Sequence, residues 1–138
     1  SVNDDGEYFC RVLLAAGASI HSAKGLVYYR SGNRTSLSQQ RTERARRSHY
    51  YSLRLIESHL RAAEESPRTR QALADYYQRF VFDYYPWPAD LIISAEKDIA
   101  RLGGSSLLGP AMGPRTAALA NLIGWRNTWR IKHWVGTR

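Results

Sequence analysis

Three carboxylates, Asp4, Asp5 and Glu7, crowd the start of the stretch NDDGEYFCRVLLAAG, with Arg11 one helical turn beyond Glu7. Acids are scarce in this chain, 12 Asp and Glu against 20 Lys and Arg, so their clustering calls for a cause. Two chemistries fit. Negative side chains at a helix start are stabilised by the helix dipole and the unpaired backbone N–H groups, and Asn-Asp-Asp followed by Glu has the form of a capping box. A carboxylate held in that place is also a positioned general base, ionised and projecting from a rigid backbone toward a cleft.

The other reactive residues are dispersed. Glu96 and Asp98 stand two apart inside a helical pattern, where they point in different directions and cannot chelate one ion together. His21, His49, His59 and His133 are scattered, so no histidine metal site is expected, and the lone Cys10 can form neither an internal disulfide nor a cysteine-rich zinc site. In the run LVYYR, strand alternation would send Tyr28 and Arg30 to one face and Tyr29 to the other. Arg30 there would clamp a diphosphate through paired hydrogen bonds, or simply cover packed tyrosines.

These residues need elements to position them. Apolar residues recur at helical spacing from Asn3 to Ala16, with Asn3 or Asp4 as the N-cap and Gly17 as the stop. ASIHSA and LVYYR read as a strand pair, a short β-hairpin. The loop SGNRTS follows, and from Ser36 onward the pattern is helical, with Ser36 and Ser38 as candidate N-caps of a long first segment. Ser66 and Pro67 punctuate it. A second helix aligns Leu73, Tyr76, Tyr77, Phe80, Val81 and Tyr84 on one face, and ends at PWP. A third, from Ala89 to Leu102, aligns Leu91, Ile92, Ala95, Ile99 and Leu102 before Gly103 and Gly104. GGSSLLGPAMGP reads as a linker, and the basic, Trp-rich tail beyond it as an interrupted amphipathic helix. The expected architecture is therefore mainly α with a short β-hairpin, organised as residues 1–35, 36–104 and 105–138.

Composition sets bounds on partners. With 138 residues, 43% hydrophobic and 23% charged, the chain is globular in type. A net charge of +8 favours anionic partners, whether phosphate, nucleic acid or a lipid surface. No run approaches about 18 apolar residues, so no spanning helix is expected, and the acidic start is unlike a signal peptide. A single cysteine suits a reducing cytoplasm. Arg41, Arg44, Arg46, Arg47, Arg54 and Arg61 form a basic stripe that would serve a phosphate-bearing acceptor or a lipid headgroup, although Glu43, Glu57, Glu64 and Glu65 offset it as on a solvated face.

NDDGEYFCRVLLAAG, followed by SIHSAKGLVYYR and the SGNRTSLS loop, resembles the later half of family 2 glycosyltransferases, over residues 2 to 38. The resemblance implies the helix-rich C-terminal part of a GT-A type α/β enzyme that transfers a sugar from a nucleotide-sugar donor to an acceptor hydroxyl with inversion. It implies Asp5 as the general base, Asp4 and Glu7 as the flanking acidic positions, and Arg11, Tyr29 and Arg30 as donor- or acceptor-binding residues. The nucleotide-binding half, with its Asp-x-Asp pair and divalent metal (Mg or Mn), would precede this motif, so residues 1–138 are expected to be the C-terminal portion of a longer enzyme, inactive alone and binding no metal themselves. A cytoplasmic enzyme acting on a glycan or lipid-linked acceptor follows, at the inner face of the membrane if the tail of Trp125, Trp129 and Trp134 makes peripheral contact. The same tryptophans would serve equally as core. The tyrosine-rich helices leave room for a homodimer. The rival reading is a non-enzymatic basic helical module that binds nucleic acid or an anionic membrane; against nucleic acid, the basic residues are spread over several helices and form no fingerprint.

Overall fold

The computed structural model describes residues 4–26, 28, 42–110 and 112–136. Among them the chain forms six helices, α1 (Asp4–Ala15), α2 (Glu43–Ala63), α3 (Pro67–Tyr84), α4 (Ala89–Arg101), α5 (Pro114–Ile123) and α6 (Trp125–Gly136). It divides into two compact units, Ser1–Glu65 and Ser66–Arg138.

In the first unit α1 packs on α2. Thr42 caps α2, its hydroxyl accepting from the Ala45 N–H at 3.2 Å, and Glu43 lies in the first turn where the helix dipole favours an acid. Ala45, Ser52, Leu53, Ile56 and Glu57 are buried at helical spacing. The helix therefore starts later than expected. Ser36 and Ser38 lie outside the described residues, and Thr42 performs the capping assigned to them, just ahead of the first buried position, Ala45.

The expected β-hairpin is corrected: no strand forms among the described residues. The ASIHSA run is irregular, with Ile20 94% exposed, and Leu26 beyond it is 78% exposed. A strand is stabilised by a ladder partner and a buried face, and an isolated pair has too little of either. Of the second run, Tyr28 is described and exposed, while Tyr29, Arg30 and the SGNRTS loop lie outside the described residues.

The second unit is built on α3 and α4. Ser66 caps α3 by accepting from the Thr69 N–H at 3.2 Å, and Pro67 takes the first helical position, where a missing N–H costs nothing. Leu73, Ala74, Tyr77, Phe80, Val81 and Phe82 of α3 are buried, as are Leu91, Ile92, Ala95 and Ile99 of α4. The expected apolar faces thus form the core, with Tyr76 and Tyr84 half-buried at its edge. Beyond α4 the Gly104 N–H donates to the Ile99 carbonyl at 2.9 Å, with φ of 103° at Gly103 and 95° at Gly104. Such values suit glycine, and they close the helix by satisfying its last carbonyls.

The Gly- and Ser-rich segment after α4 is anchored to α3 by one carboxylate. Asp75 accepts from the Ser105 hydroxyl at 2.7 Å, the Ser106 N–H at 2.8 Å, the Ser106 hydroxyl at 2.8 Å and the Gln71 amide at 3.1 Å. Burial pushes the Asp75 carboxyl up, but the hydrogen bonds from Ser105, Ser106 and Gln71 outweigh it and hold the group below its ordinary value. A carboxylate with a depressed folded pKa stabilises the protein above its unfolded pKa, and that contribution is lost as pH falls through the folded value. Asp75→Ala should therefore lower unfolding free energy by about 1–2 kcal/mol at neutral pH and by much less at pH values below the folded pKa. Urea titrations at the two pH values check this; an equal loss at both would refute the carboxylate anchor.

Gly124, at φ 82° and ψ 149°, separates α5 from α6. That conformation suits glycine alone, so the expected interruption of the tail falls there. α6 is joined to α3 by aromatic contacts: the Trp129 indole N–H donates to the Phe82 carbonyl at 3.0 Å, and the Trp125 ring meets Phe82 and Tyr85 at 5.0 and 5.3 Å.

Candidate functional site

The acidic cluster sits on the first two turns of α1. Asp4 opens the helix, and Asp5 is exposed in its first turn. Glu7 is different. Its carboxylate is taken by Arg11, Nε at 2.7 Å and Nη2 at 3.2 Å, and also meets His59 Nε2 of α2 at 2.9 Å. The Glu7 side chain is 16% exposed, and that of Arg11 52%. Hydrogen bonding to Arg11 holds the Glu7 carboxyl below its ordinary value; burial opposes this and the His59 contact adds to it. The Arg11 guanidinium, its pKa raised by the bond to Glu7, also lies 5.7 Å from the Tyr8 ring centroid.

The residues are thus sorted by environment. Glu7 is charged, clamped and turned toward its neighbours, and Asp5, two residues earlier on the same helix, is an exposed residue. A clamped ion pair orients and an exposed carboxylate can meet a substrate, so the arrangement can position a base. Burial pushes the Cys10 thiol up, and the Glu7 charge adds to that, which favours the thiol over the thiolate.

Beside the carboxylates α1 exposes a large apolar surface, with Tyr8, Phe9, Val12, Leu13 and Leu14 all between 41% and 60% exposed. Patches of this kind mark interaction surfaces.

Of the residues expected at the site, the structure brings together Glu7 and Arg11, with Asp5 on the same helix. Tyr29 and Arg30 lie outside the described residues. His59 is the partner that sequence reading missed. It is 52 residues from Glu7, and no local pattern signals so distant a contact. Within α2, Arg47 pairs with Glu43 at 2.8 Å and Arg54 and Arg61 flank the buried Glu57 at 3.4 Å each, while Arg61 also meets Glu65, just past the helix end, at 2.6 Å. Much of the basic stripe is therefore engaged in pairs along its own helix.

Glu96 and Asp98 are held apart by different partners, Arg126 at 2.7 Å and Arg101 at 2.9 Å. Among the described residues no three His, Cys, Asp or Glu side chains gather in a way that could hold a metal ion. The divalent metal implied by the resemblance has no fitting ligand set among them. No helix is long and apolar enough to cross a membrane, among the described residues. Comparison with protein-family profiles, curated proteins and solved structures finds no match to this chain.

Proposed function

We propose that residues 1–138 are the C-terminal part of an inverting glycosyltransferase of the family 2 type, in which Asp5 is the general base. One observation carries the reading: the exposed residue Asp5 stands two positions before a Glu7 that is clamped by Arg11 and His59, on a single helix. An alcohol attacks poorly near neutral pH. Asp5 takes the proton of the acceptor hydroxyl as its oxygen bonds to the anomeric carbon, while the nucleoside diphosphate leaves from the opposite face and the configuration inverts. Glu7, Arg11 and His59 keep the first turns of α1 in place, so that the base is presented without reorganisation. The apolar side chains exposed beside it suit an element that a nucleotide-binding half covers.

The test is acceptor-dependent release of nucleoside diphosphate by the complete polypeptide carrying this chain, assayed with a panel of nucleotide sugars, an acceptor mixture of glycans and polyprenyl phosphates, and Mg²⁺ or Mn²⁺. Transfer with inversion supports the reading. Absence of release with every donor, or an Asp5→Asn variant that keeps most of its turnover, would overturn it.

A further inference from the structure

The exposed surface of α5 and α6 carries an inference separate from the chemistry of α1. α5 contains no buried residue, although it is an apolar helix. Arg115, Leu119 and Leu122 follow one another at four- and three-residue steps, which places them on one stripe. Leu119 is 39% and Leu122 82% exposed. α6 repeats the device with Arg130, Ile131 and Trp134, where Ile131 is 47% and Trp134 63% exposed. The opposite side of α6 serves the fold: Thr128 is 2% exposed and Trp129 is hydrogen-bonded to Phe82.

Charge selects the occupant. From Gly103 to the end of the chain there is no Asp or Glu, while Arg and Lys recur among the apolar residues. An apolar stripe flanked by Arg115 and Arg130, with one acid, Glu96, already paired to Arg126 of α6, matches an anionic bilayer surface, where acyl chains receive the Leu, Ile and Trp side chains and headgroups meet the cations. Nucleic acid would reward the cations but gain nothing from exposed leucines. Since no described helix can span a bilayer, the contact is one that lies on the surface.

We propose that α5 and α6 form a peripheral membrane contact for anionic lipid, made by the Leu119/Leu122 and Ile131/Trp134 stripes with Arg115 and Arg130, and not by Trp125 and Trp129, which the fold uses internally. The proposal does not rest on sugar transfer and is tested without it. The purified 138-residue chain is floated with vesicles of phosphatidylcholine alone or of phosphatidylcholine and phosphatidylglycerol in equal parts, alongside Leu122→Gln/Trp134→Gln and Arg115→Gln/Arg130→Gln. Both pairs are exposed, and circular dichroism checks that helicity is kept.

Flotation with the anionic vesicles only, weakened by salt, and lowered about tenfold or more by the apolar pair, is the expected result. The Arg pair should also weaken it. Two outcomes would overturn the proposal: no flotation with anionic vesicles, or flotation that the apolar pair leaves unchanged. A chain that ignores vesicles but binds single-stranded RNA, with an affinity untouched by Leu122→Gln/Trp134→Gln, would assign the cations to nucleic acid instead.

Discussion

Replacing Asp5 by Asn in the complete polypeptide is expected to lower turnover by about 10²- to 10⁴-fold, the range that a positioned general base contributes. The amide keeps the size of the side chain and its place in the first turn of α1, but it cannot accept the acceptor's proton. Glu7 stays clamped by Arg11 and His59, so the helix start should not move. Donor affinity should change little, because proton removal is asked of Asp5 and grip is not. Steady-state kinetics with donor-binding measurements separate the two effects: kcat falls while donor Kd holds. A matching loss of donor affinity would mean that Asp5 binds the donor. Glu7→Gln, by contrast, weakens an orienting contact, and its effect on kcat should be smaller than that of Asp5→Asn.

Phe80→Ala is expected to cost about 3–5 kcal/mol of stability, because the ring is lost from a packed interior and the cavity closes only in part. Phe80 is 1% exposed and meets the Tyr84 ring at a centroid distance of 4.8 Å. The same interior holds Leu73, Tyr77 and Val81, each 1% exposed or less. A typical domain has only about 5–15 kcal/mol in total, so the variant should be near unfolding. Thermal denaturation of the full chain, followed by circular dichroism, should show the midpoint drop by more than about 10 °C. A drop of only a degree or two would show that α3 and α4 do not depend on this ring. An exposed change such as Ile93→Ala, where the side chain is 52% exposed, serves as the comparison and should cost far less.

Acid should destabilise both units through two carboxylates. Glu7 and Asp75 each have a folded pKa below the ordinary value, held there by hydrogen bonds, so each stabilises the fold above its unfolded pKa and loses that contribution as pH falls through the folded one. His49 adds to this at higher pH, since burial lowers its pKa and favours the neutral ring. Its contribution is present above the unfolded histidine value and is lost as pH falls below it.

Local chemistry alone determined much of the helical frame. Ser66 followed by Pro67 starts α3, Gly103 and Gly104 end α4, and Gly124 breaks the tail, because each residue type offers a hydrogen bond, a fixed φ or a positive φ that few others supply. The buried faces of α3 and α4 follow from three- and four-residue spacing, since a helix presents those positions on one side. The acidic cluster, and with it the candidate base, was visible as a run of neighbours.

Tertiary structure decided the rest, and in each case the reason is distance along the chain. ASIHSA contains β-favouring residues, but a strand exists only through a partner and a buried face, and Ile20 has no buried face. Serine caps as readily as threonine, and the cap of α2 is Thr42, three residues ahead of the buried Ala45. Which tryptophans serve the fold was equally hidden: Trp125 and Trp129 pack on residues of α3 and its end, while Trp134, nine residues beyond Trp125, remains largely exposed. His59 reaches Glu7 across 52 residues, and Asp75 meets Ser105 and Ser106 across 30 and 31. Residue types specify which groups can pair, but which pairs meet depends on how the helices pack.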